Sequence, residues 1–96
     1  MTKYIVRYSS VFKKKLKIII RRGKDINKLM FVVERLANKE KLDSKYRNHF
    51  LKDDNNYKNC GECHIEPDWL LVYQYNNDQL ILLLVDTGSH SDLFKT

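Results

Sequence analysis

The hydrophobic period of this chain changes twice, and the order of those changes leaves few folds open. Tyr4, Val6 and Tyr8 recur at period two, the signature of a strand. The period then becomes helical: Phe12, Leu16, Ile19 and Ile20 share one stripe, and Lys13, Lys14, Lys17, Arg21 and Arg22 fill most of the rest until Gly23 supplies a stop. Ser9 or Ser10 can cap this basic helix. Asp25 can cap a second one, whose apolar positions Ile26, Leu29, Met30, Val33, Leu36 and Ala37 keep three-and-four spacing to about Asn38. The two predict a helical hairpin.

Beyond Leu42 the helical period does not return. Leu42 to Asn59 is irregular and polar, with Asp53-Asp54-Asn55-Asn56 as a turn between short extended pieces around His49 and Tyr57. Gly61 to Ile65 alternates, Pro67 bends or ends that strand, and Trp69 to Tyr75 is extended up to the Asn76-Asn77-Asp78 turn. Leu80 to Val85 is apolar on both faces and reads as a central strand, after which Thr87-Gly88-Ser89 turns into a short tail. The expected architecture is one α+β domain over residues 1–96. An antiparallel sheet of about four to five strands carries the N-terminal helical hairpin on one face and leaves the other face free.

Eighteen Lys and Arg stand against 12 Asp and Glu, a formal charge of +6. Such a field draws polyanions, nucleic acid first and an acidic protein second. The first residues show no apolar leader, and the longest apolar run, Leu80 to Val85, is far too short to cross a bilayer. A cytoplasmic protein with no membrane partner is expected, its cysteines reduced.

Cys60-Gly61-Glu62-Cys63-His64 matches the Cys-x-x-Cys-His haem-attachment pattern. Haem is rejected, because such attachment belongs to exported proteins and alternation along a strand points the two cysteines to opposite faces. Zinc fares little better: Cys60, Cys63, His64 and His90 could supply four ligands, but a second cysteine pair is missing. No metal and no cofactor are expected. On the strand, Glu62, His64 and Glu66 share one side, and Cys63 and Ile65 the other.

All three histidines fall in the C-terminal half, in segments dense with polar and aromatic groups. Three imidazoles with a nearby carboxylate can move protons near neutral pH. His64 and Asp68 flank the Pro67 bend and His90 follows the last turn, so all could converge at one sheet edge. Trp69 has the size of a core aromatic, whereas the Phe94 ring near the C-terminus could plug the core or stack on a base.

Tyr46-Arg47-Asn48-His49, the block from Cys63 through Pro67 and Asp68 to Tyr73, and Thr87-Gly88-Ser89-His90-Ser91-Asp92-Leu93-Phe94 together resemble the YafQ branch of the RelE toxin superfamily. The resemblance spans nearly the whole chain. It implies a RelE-like fold and a ribosome-dependent, metal-independent endoribonuclease that cuts messenger RNA, the toxin of a type II toxin–antitoxin pair. Its partners would be a cognate acidic antitoxin, the ribosome with its mRNA, and operator DNA only through the antitoxin complex. By match of position the catalytic set falls on His49, His64, Asp68 and His90, with Phe94 helping to position RNA. Trp69, Arg47, Lys52 and Lys58 join Phe94 as expected RNA contacts. Two positions depart from the family pattern: Gly61 and Asp86 stand where relatives commonly carry arginine. The alternative to an active enzyme is therefore a catalytically weakened module that mainly binds its antitoxin.

Overall fold

A computed structural model describes residues 3–51 and 57–94. Five strands form one sheet in the order β1-β5-β4-β3-β2: β1 Ile5–Tyr8, β2 His49–Phe50, β3 Gly61–Glu66, β4 Trp69–Asn76 and β5 Ile81–Gly88. Helices α1, Ser10–Arg21, and α2, Ile26–Ala37, lie between β1 and β2 in the chain, and a short α3, His90–Phe94, follows β5. The Asp53 to Asn56 turn and Lys52 lie outside the described residues.

The caps expected from sequence form. The Phe12 N–H donates to Ser9 Oγ at 2.9 Å, and the Asn27 N–H donates to Asp25 Oδ1 at 2.9 Å, each satisfying an orphan donor of a first helical turn. Ser9 does more than cap, since its hydroxyl donates to the Val85 carbonyl at 2.6 Å and ties the start of α1 to β5.

The hairpin covers one face of the sheet. Phe12 and Ile19 of α1 and Leu29, Val32, Val33 and Leu36 of α2 pack with Cys63, Ile65, Trp69, Leu71, Tyr73, Leu82 and Leu84 from the strands. Trp69 is 1% exposed, and its indole N–H donates to Thr87 Oγ1 at 3.0 Å. That burial corrects one expectation: the Trp69 ring offers no face to a base, because the hairpin already covers it.

Two further expectations change. The sheet is not wholly antiparallel, because β1 pairs with β5 in parallel, Ile5 opposite Ile81 and Tyr8 opposite Leu84. The second face is not free either: Tyr57, Cys60, Leu70, Val72 and Leu93 form a smaller buried cluster there, with Leu51, Val85 and Phe94 packed against it. A register shift produces that cluster's floor. Val72 faces Asp86 while Tyr73 faces Leu84, so Val85 is an extra residue in β5. Alternation flips there, leaving Leu84 under the hairpin and turning Asp86 toward the second face beside Val72.

Gly88, at φ +155°, ends β5 where a Cβ would stand 2.8 Å from that of Asp92. Only glycine lets the chain fold back so closely, and the segment read as a tail becomes α3 instead.

Candidate active site

The second face gathers the histidines. β2 pairs with β3 so that His49 faces Glu62, and β3 pairs with β4 so that His64 faces Leu70, which in turn faces Gly88, two residues before His90. His64, Asp68 and His90, whose approach the chain's turns allowed, come together there, and His49 joins them from β2.

Asp68 and His90 form the tightest unit. Asp68 Oδ1 accepts from the His90 ring Nδ1 at 2.6 Å and from the His90 backbone N–H at 2.9 Å. Those two bonds, the backbone one foremost, hold the Asp68 carboxyl below its ordinary value. An anionic Asp68 can only accept, so it fixes a proton on His90 Nδ1 and leaves Nε2 to meet a substrate as acceptor or, when protonated, as donor. The His64 and His90 rings lie 5.5 Å apart between centroids.

The other pole is a carboxylate that the sequence reading placed beside His64 but gave no role. Glu62 is 5% exposed, and its Oε1 stands 3.5 Å from His49 Nε2 and 3.6 Å from His64 Nε2. Each ring meets a second acceptor through Nδ1: the Arg47 carbonyl at 2.9 Å for His49 and the Pro67 carbonyl at 3.3 Å for His64. A carbonyl oxygen only accepts, so the ring nitrogen that meets it, Nδ1, is the one bearing a proton. Shared alternation with His64 was the available signal for Glu62. Its burial was not legible, because the edge strand β2 that covers it is two residues long.

The departures from the family pattern have packing reasons. A Cβ at Gly61 would lie 2.5 Å from the Tyr73 ring, so no arginine fits there beside that ring. The Tyr73 hydroxyl in turn donates to Asn48 Oδ1, next to His49. Asp86 is buried, accepts from the Tyr57 hydroxyl at 2.8 Å and from the Thr87 N–H at 2.8 Å, and pairs with Lys15 Nζ at 3.8 Å. Its negative charge is turned into the fold.

The remaining expected RNA contacts divide. Arg47 is exposed at the mouth of the site, in a left-handed conformation at φ +47°. Phe94 is partly buried, edge-on to Tyr57 at 5.8 Å. Lys58 is seen through its backbone carbonyl, which accepts from Gln74 Nε2 at 3.3 Å. Lys52 lies outside the described residues. Both cysteines are buried, Cys60 in the second cluster and Cys63 in the first, and burial, with a smaller contribution from Glu62, pushes the Cys63 thiol up to about 12. Cys63 is no nucleophile at neutral pH.

Comparison with known proteins places this geometry among relatives. Residues 4–95 match the family described as bacterial toxin of type II toxin-antitoxin system, YafQ. The "mRNA interferase toxin YafQ" of Escherichia coli strain B / BL21-DE3 is 34% identical over 90 residues, 93% of this chain and 94% of that protein. A metal-bound toxin from Helicobacter pylori has 43% identity and a TM-score of 0.88, covering 95% of this chain and 99% of that one. The E. coli DinJ-YafQ complex gives 33% identity and a TM-score of 0.83, covering 96% and 99%.

Proposed function

Because the chain belongs to the YafQ family of bacterial toxins, we propose that it is a messenger-RNA endoribonuclease of a type II toxin–antitoxin pair, acting on ribosome-bound transcripts through His49, His64, Asp68 and His90. The observation that carries the reading is the Asp68–His90 pair facing the His64 ring across 5.5 Å. RNA supplies its own nucleophile, the 2′-hydroxyl beside the scissile phosphate. One imidazole must take its proton, another must protonate the departing 5′-oxygen, and cations must stabilise the phosphorane between them. In this reading His49 and His64 work on the base side with Glu62 orienting both rings. His90, aligned by Asp68, serves as acid or phosphate contact.

The partners follow from charge and kinship. An antitoxin of acidic surface covers the basic toxin, as a DinJ chain accompanies the E. coli relative in its complex. Operator DNA is reached only through that complex. Among the described residues no group of three or more His, Cys, Asp or Glu is placed to hold a metal ion. No described helix is long and apolar enough to cross a membrane.

The test is to express the chain without its antitoxin and map transcript 5′ ends. Codon-phased cuts are expected, reduced about 10² to 10⁴-fold by His90→Ala or His64→Ala. Cutting that survives replacement of all three histidines would overturn the assignment. Intact transcripts with tight antitoxin binding would decide for the weakened module, whose support is the buried Asp86 where an arginine was expected.

A further inference from the structure

We propose that the cavity beside His64 is a subsite for one nucleotide of the substrate RNA, holding the base against Tyr46 and an adjoining phosphate between Lys45 and Arg47. The inference rests on the reading of the chain as an RNA-cutting enzyme, and names a part of the site that the proton-handling groups do not account for.

The cavity has a volume of about 530 Å³, within the range of pockets that take small ligands. Its walls come from three places: Lys28 of α2, the one-turn 3₁₀ helix Ser44–Tyr46 with its cap Arg47, and the end of β3 from His64 to Glu66 with Pro67 after it. Ile65 and Pro67 give it an apolar floor. Three cations line it against one carboxylate, Glu66, which already accepts from Lys24 at 2.8 Å and Lys28 at 2.9 Å. Neutralising Glu66 is thus done by Lys28 of α2 and Lys24 of the turn before it, and Lys45 and Arg47 bring charge beyond that balance.

Lys45 Nζ stands over the Tyr46 ring, 5.2 Å from its centroid, so ammonium and aromatic surface adjoin on the cavity wall and an incoming base would share or displace that contact. Bases stack on such rings without regard to sequence, and phosphates are met by such cations. A peptide carboxylate needs the cation but not the ring.

Position relative to the chemistry completes the argument. His64 lines the cavity, and its Nε2 faces Glu62. Arg47 lines it too, and its carbonyl accepts from His49 Nδ1. The left-handed backbone of Arg47 is uncommon for a side chain other than glycine, and places the residue between cavity and histidine. A nucleotide seated here is a direct neighbour of the scissile phosphate, beside which His64 and His90 would handle protons.

Titration of the full ¹⁵N-labelled chain with adenosine 3′,5′-bisphosphate tests this, with inorganic phosphate as the control. Saturable shifts are expected at residues 45–47 and 64–66, about 10-fold weaker in binding for Lys45→Ala and for Tyr46→Ala, and unchanged in affinity for Lys3→Ala, whose ammonium pairs with Glu34. Phosphate alone should perturb Lys45 and Arg47 but leave the Tyr46 ring resonances in place. In single-turnover cleavage on ribosomes, Lys45→Ala should raise the concentration for half-maximal rate about 10-fold, while His90→Ala lowers the maximal rate. Shifts elsewhere, binding equal in the variants, or cavity shifts produced by an antitoxin peptide and not by the nucleotide overturn the subsite. Nucleotide binding in the cavity without any cleavage by the wild-type chain would overturn the enzyme reading and leave the subsite standing.

Discussion

Asp68 shows how much one exposed carboxylate can decide. Its side chain is 68% exposed and that of His90 is 52% exposed, so the pair contributes little to stability in water. What it contributes is a fixed tautomer. Because its two bonds to His90 lower the Asp68 value, the carboxylate keeps its charge as pH falls past the ordinary 3.8 and loses it only below. An NMR titration of the Asp68 side-chain carbon should therefore give a midpoint under 3.8. A midpoint at or above that value would mean that the His90 bonds do not persist in solution. Asp68→Asn can offer its amide N–H to the ring and let the proton move to the other nitrogen, with an expected rate loss of 10²-fold or more and an unchanged melting temperature. The residues of this pair were legible in the sequence because the family resemblance carries both. Glu62 was less so, since an alternating strand leaves a glutamate on the solvent side by default and only the third dimension shows two imidazoles closing over it.

Among the elements, those with a long period and a good cap were readable and the short ones were not. Two 12-residue helices with Ser9 and Asp25 caps were foreseen nearly to their ends. Five-residue α3 has too few turns to show a period. Its start is fixed by one local and one tertiary bond: Asp92 accepts from the Ser89 N–H at 2.9 Å and from Arg22 Nη1 at 2.7 Å, the latter reaching back 70 residues to the end of α1. Those bonds, Arg22 foremost, hold the Asp92 carboxyl well below the usual carboxylate range. The caps themselves make a controlled comparison. Ser9→Ala removes a cap and the bond to Val85, so it should cost about 1 to 2 kcal/mol in denaturant unfolding. Asp25→Ala removes an exposed cap alone and should cost no more than about 1 kcal/mol. Equal losses would show that the Ser9–Val85 bond adds nothing.

For the molecule as a whole, the formal +6 is a net figure, and some of its cations are already engaged by carboxylates among the described residues. Lys3 is paired with Glu34, Lys15 with Asp86, Arg22 with Asp92, and Lys24 and Lys28 with Glu66. If about three cations meet RNA phosphates, the logarithm of affinity should fall with the logarithm of salt at a slope of about −2. Measuring RNA binding across salt concentrations checks this, and a slope near zero would remove charge as the source of affinity. The class of fold was legible from the change of period, but not the direction in which β1 enters the sheet. Period two marks a strand and is silent on its neighbour. That neighbour is β5, and residues joined across the seam are 76 apart in the chain. The order of synthesis then matters. The first strand to leave the ribosome waits for nearly the last one, so the hairpin can form early while its sheet stays incomplete, a route of high contact order and correspondingly slow closure. Any chain cut short before residue 81 lacks both β5 and the helix bearing His90. A prematurely terminated product would therefore be unfolded and harmless together, which ties the toxin's potency to completion of its own translation.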